Sequence, residues 1–103
     1  MILTDTYVAE SLEQLRRDLR ATGCGRYTDF VAERAAEVAT FNNEPRRLVE
    51  KVVEDVQQRL QDEFIDTTWP ACPRHSNHPL NYAEGAWRCS RDGAMVAPLG
   101  SLK

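Results

Sequence analysis

Leu48, Val49, Val52, Val53, Val56, Leu60 and Phe64 recur at intervals of one, three and four residues. That spacing places all seven on one stripe of an α-helix, wide enough to need cover from more than one neighbour. Proline is tolerated in the first turn of a helix but not deep inside one, so Pro45 marks the start of this element, which is expected to run to about Asp66. Glu50, Glu54 and Glu63 are left for water. Whatever else the chain does, it has to supply apolar surface to close over this stripe.

Two shorter stripes precede it. Val8, Leu12, Leu15 and Leu19 recur at four, three and four residues and predict a helix from Tyr7 to Ala21, stopped by Gly23 and Gly25, because glycine readily adopts the left-handed conformation of a helix C-cap. Arg16, Arg17 and Arg20 fall in its last turns, where positive charge complements the helix dipole. Thr28 or Asp29 caps a second helix that runs to about Phe41, with Val31, Ala35, Val38 and Phe41 inward, and "FNNEP" breaks it. Three amphipathic helices with short connections predict a small antiparallel bundle over residues 1–67. A helix-turn-helix reader would need Arg46, Arg47, Lys51 and Arg59 to face a groove, but Glu50, Glu54, Asp55 and Asp62 are interleaved with them.

After "DTTWP" the texture changes. Prolines stand at 70, 73, 79 and 98, helical periodicity stops, and "LNYA", "AWRC" and "AMVAPL" read as three short strands separated by "EG" and "SRDG". Residues 68–103 therefore form a tail packed on or beside the bundle, and the expected class is mainly α with a small β tail. Ordering chain costs about 1.5 kcal/mol per residue, and the tail has few large apolar side chains to offset it. Either something cross-links the tail or it leans on the helices.

A metal is the candidate cross-link. Two of the three cysteines and both histidines lie in this tail, as Cys72, His75, His78 and Cys89. Two thiolates and two imidazoles suit a tetrahedral zinc ion, and a structural zinc stabilises small folds strongly. The tail is similar to a zinc ribbon, whose knuckles usually read Cys-Pro-x-Cys-Gly. Here the first knuckle is "CPRH" and the second "CSRDG", with Asp92 where a cysteine usually stands. His78 is favoured as fourth ligand and Asp92 is the alternative, since structural zinc sites use sulfur and nitrogen donors. Under the first choice Asp92 is a turn residue before Gly93. The competing explanation is that the cysteines are buried small apolar residues and the histidines ordinary loop residues. Cys24, between two glycines, reads as an inert or mildly exposed thiol. Trp69 and Trp87 read as packing side chains around the site, with Tyr82 pairing across the hairpin.

Over residues 67–93 the elements "TTWPACPRHSNHPL", "AWRC" and a "DG" turn resemble those of a group of small actinobacterial proteins of uncharacterised function with helical N-termini. The resemblance implies a bacterial cytosolic setting and a shared site at Cys72, His75, His78 and Cys89. It implies no substrate.

Charge narrows the function classes. Residues 1–69 carry nine Lys or Arg against fourteen Asp or Glu, and residues 70–103 four against two, so an acidic body precedes a weakly basic tail. An acidic body opposes general affinity for phosphate backbones. No apolar run is long enough to span a bilayer, and the N-terminus lacks the basic segment and apolar stretch of a signal peptide, which points to the cytoplasm. A saturated zinc site leaves no open position for chemistry. The leading expectation is thus a noncatalytic, zinc-clamped module that binds another protein, with a homodimer through the third helix as a further option. Nucleic-acid binding through Arg74, Arg88 and Arg91 is the alternative. A zinc hydrolase with Glu84 or Asp92 as base ranks third.

Overall fold

The computed structural model describes residues 2–42, 44–63, 69–73 and 78–102. Helix α1 (Ile2–Ala21) ends where the sequence stops it: Gly23 takes φ +82°, the Cys24 amide donates to the Leu19 carbonyl (2.8 Å) and the Gly23 amide to that of Arg20. These are the crossed bonds of a Schellman cap, and they turn Cys24 inward beside Leu19. Cys24 is a buried core residue, which agrees with the inert thiol of the two readings and not with the mildly exposed one.

A 3-10 turn (Gly25–Tyr27) leads into α2 (Thr28–Ala39). Phe41 was expected inward but is 65% exposed. The helix stops two residues earlier, and the amides of Phe41 and Asn42 both fold back on the Val38 carbonyl, which carries Phe41 off the apolar stripe. Helix α3 (Pro45–Asp62) begins at the proline, and the Glu44 side chain caps it by accepting from the amides of Arg46 and Arg47. It ends at Asp62, short of the expected Asp66, with Glu63 outside the helix as its C-cap; the stripe residue Phe64 and the boundary near Thr67 lie outside the described residues.

Each helix contacts the other two. Leu15 and Leu19 of α1, Val31 and Val38 of α2, and Val49, Val52, Val53, Val56 and Leu60 of α3 are fully buried. The α3 stripe is thus consumed inside a single chain, and a homodimer would have to use another face.

The tail corrects the expected fold class. Strands β1 (Leu80–Ala83), β2 (Ala86–Cys89) and β3 (Met95–Pro98) form an antiparallel sheet in the order β1-β2-β3, so the fold is three helices with a three-stranded sheet rather than a mainly α bundle with a ribbon-like appendage. The physical reason is that the sheet shares the helices' core. Trp69, Cys72, Leu80, Trp87, Cys89 and Leu99 belong to the same buried cluster as the helical stripes. The β1–β2 hairpin closes through Glu84 (φ +55°) and Gly85 (φ +78°), the left-handed pair that a two-residue turn requires. Tyr82 lies opposite Trp87, with ring centroids 5.8 Å apart and edge to face.

Polar anchors fasten the sheet to the helices. Asp18 of α1 is fully buried, and its carboxylate accepts three hydrogen bonds from the tail: Trp87 Nε1–H (2.7 Å), the Gly100 amide (2.8 Å) and the Leu102 amide (2.9 Å). Trp69 Nε1–H donates to Thr22 Oγ1 (2.8 Å), and its ring meets Trp87 edge to face at 5.5 Å. The Gln57 side-chain amide of α3 donates to the carbonyls of Trp69 (3.2 Å) and Leu80 (3.0 Å), so a helix side chain satisfies the outer edge of β1 where another strand would otherwise pair. The C-terminal segment passes close enough to α1 that a Cβ on Gly100, at φ +93°, would stand 2.9 Å from Gln14 Cβ. Of the two alternatives that the sequence left open for the tail, leaning on the helices is realised here.

Candidate metal centre

Backbone pairing brings three of the four expected ligands onto neighbouring segments. The Cys72 amide donates to the His78 carbonyl (3.1 Å), Ala71 forms a bridge with Pro79, and the Leu80 amide donates to the Pro70 carbonyl (2.7 Å), so the Cys72 segment runs antiparallel beside the entry to β1. On the other side of β1, Leu80 is in register with Cys89. Beyond Cys89 the chain doubles back, with the Cys89 amide donating to the Ala94 carbonyl (2.8 Å) and the Gly93 amide to the Cys89 carbonyl (2.9 Å).

Cys72 and Cys89 are 1% and 2% exposed, and no disulfide links any of the three cysteines. His75 lies outside the described residues. Among the described residues, no three or more His, Cys, Asp or Glu side chains are gathered so that they could hold a metal ion. The donor types fit zinc, and the strand register makes neighbours of the segments that carry Cys72, His78 and Cys89. The side chains of those three are not drawn around a common point.

Asp92 takes the role its position before Gly93 suggests. Its carboxylate accepts the Ala94 amide (2.9 Å), which holds the β2–β3 turn. Arg88, on the central strand, reaches toward Glu84 (3.7 Å) and the Gly93 carbonyl (3.5 Å), while its Nε is buried with no hydrogen-bond partner among the described residues. Arg91 is exposed on the turn, and Arg74 lies outside the described residues. Trp69 and Trp87 are buried at 3% and 0% exposure, which bears out packing as their first explanation.

Two features were not anticipated from the sequence. Asp18 stands three residues after Leu15 and next to Leu19, a carboxylate on an apolar stripe, and that placement is the signal that it has to be satisfied from inside. A groove of about 590 Å3 lies where the C-terminal end of α1, the entry to the tail and the last residues meet, lined by Trp69, Pro70, Pro73, Val96 and Leu102 with Thr22 among its polar groups. Its walls come from segments far apart in sequence, so no local pattern announces it. Among the described residues, no helix is long and apolar enough to cross a membrane. Comparisons with protein-family models, curated proteins and solved structures found no match.

Proposed function

We propose that this protein is a noncatalytic interaction module of the cytoplasm that receives an apolar segment of another protein in the groove beside β3. The groove itself carries this reading. It is concave, it is lined by Trp69, Pro70, Pro73, Val96 and Leu102, and it borders a strand whose Met95 is 58% exposed. Thr22 and Ser101 add polar groups to these apolar walls, and a concave surface of that mixed kind is an ordinary form of recognition site. The Trp69–Thr22 hydrogen bond and the hold of Asp18 on the Leu102 amide fix two of its walls, so the groove is formed before a partner arrives.

A photo-crosslinking residue at Ala97, with Glu37 of α2 as control position, tests this. The expected result is one discrete adduct from Ala97 and none from Glu37, lost when Val96→Asp is added without a change in melting temperature. Identical adducts from both positions, or an adduct insensitive to Val96→Asp, contradicts the reading.

The same proposal gives the tail a structural zinc held by Cys72, His75, His78 and Cys89. Support comes from the soft donor set and from the strand register that puts the Cys72 and Cys89 segments on either side of β1. Zinc would cross-link the end of the sheet farthest from the Glu84–Gly85 turn. Native mass spectrometry is expected to find one zinc per chain in protein from zinc-replete cells, and none in Cys89→Ser. Apoprotein alone from such cells removes the zinc from the proposal and leaves the groove standing.

A further inference from the structure

A second concavity, of about 350 Å3, opens between the N-terminal half of α1, the start of α3 and the β1–β2 turn, away from the groove just described. It is lined by Tyr7, Arg46, Glu50, Tyr82, Glu84 and Gly85. Its size lies at the small end of small-molecule sites. The floor is pre-organised: Tyr82 lies opposite Trp87 across the β1–β2 hairpin, and its ring is held edge to face against the indole. Burial, with Tyr7 and Glu50 nearby, pushes the Tyr82 phenol up to about 12, so it stays a neutral hydroxyl over the ordinary pH range.

The charged groups at the rim set its chemistry. Arg46 and Glu50 are four residues apart on α3, the spacing at which opposite charges on a helix normally pair. Farther along they do, as Lys51–Asp55 (3.2 Å) on the same helix and Arg59 with Glu63 just past its end (2.6 Å). Arg46 and Glu50 form no such pair among the described residues, and both line the cleft. Glu84 adds a second carboxylate, whose contact with Arg88 is long, at 3.7 Å.

We infer that this cleft binds a small zwitterion of about the size of a free amino acid, with its carboxylate on Arg46, its ammonium on Glu50 and its apolar body against Tyr7 and Tyr82. Two carboxylates and one guanidinium at the rim favour the ammonium end over the carboxylate end when only one is present. The site is independent of the groove, and either can stand if the other fails.

Three probes of similar body and different charge decide it: phenylalanine, phenethylamine and 3-phenylpropionate, each titrated into the full chain while the amide signals of Tyr82 and Gly85 are followed by NMR. Phenylalanine is expected to bind saturably below about 10 mM, with phenethylamine weaker by tenfold or more and 3-phenylpropionate weakest. Arg46→Ala should abolish the preference for phenylalanine over phenethylamine, and Glu50→Gln the preference over 3-phenylpropionate. Both side chains are exposed, so both variants should keep the fold. Equal affinities for the three probes, no saturable shifts, or preferences unchanged in the two variants would overturn the inference.

Discussion

Among the described residues of the helical body the fully buried side chains are Leu15, Leu19, Val31, Val38, Val49, Val52, Val53, Val56 and Leu60, none of which carries a polar atom, and Asp18. In the sheet the largest buried side chain is Trp87, which brings an indole N–H that has to be bonded, and Asp18 is placed to accept it. The two regions share one core but differ in what a mistake costs. Truncating an apolar side chain in the body leaves a cavity. Removing a hydrogen-bonding group at the junction also strands its buried partner without a donor or acceptor, and for small changes that second cost is the larger part.

The largest expected effect follows from imposing both costs together. Trp87→Ala deletes the ring that packs on Trp69 and Tyr82 and takes a donor from Asp18, and it should lower unfolding free energy by roughly 3–5 kcal/mol in a denaturant titration. Asp18→Asn keeps the shape but places an amide where three donors converge, for an expected loss of about 2–3 kcal/mol. Gln57→Ala frees two carbonyls at the edge of β1 and should cost about 1–2 kcal/mol. By contrast Leu15→Met, a volume-conserving change in the body, should cost less than about 1.5 kcal/mol. If Leu15→Met proves more damaging than Asp18→Asn, the contrast between the regions fails.

A pH scan sharpens the comparison from the body's side. The Tyr27 hydroxyl donates to Glu63 (2.7 Å), and together with Arg59 it holds the Glu63 carboxyl below its ordinary value of 4.5. A carboxyl depressed by folding stabilises above the unfolded value, and that contribution is lost as pH falls through the folded one. Melting temperature should therefore drop on acidification below about pH 4.5, and Glu63→Gln should flatten this part of the curve.

The body was legible because its determinants repeat. The stripes at Leu12, Leu15 and Leu19 and from Leu48 to Leu60 fix their helices, Gly23 and Pro45 fix two ends, and among the described stripe residues Phe41 strayed, where the chain turned after Ala39. The strands were legible at the residue level: "LNYA" and "AWRC" are β1 and β2, and Tyr82 faces Trp87. What was not legible is how the sheet relates to the helices. The polar anchors join Asp18 to Gly100 and Leu102, and Gln57 to Trp69 and Leu80, and pairings across such separations leave no periodic trace. The ribbon likeness came from the knuckle-like Cys and His spacing, and the tail's own apolar side chains, counted alone, gave no measure of the core that the body supplies. Of the four expected metal ligands, Cys72, His78 and Cys89 occupy adjacent segments as their spacing allows, while His75 falls outside the described residues.

Hydrogen exchange at the Asp18 junction tests most directly whether sheet and helices form one cooperative core. Trp87 Nε1–H and the amides of Gly100 and Leu102 should be protected to within about tenfold of the Val53 amide in the middle of α3, and Asp18→Asn should accelerate all three. If Gly100 and Leu102 exchange at the rate of an unstructured chain while Val53 stays protected, the tail is not anchored through Asp18.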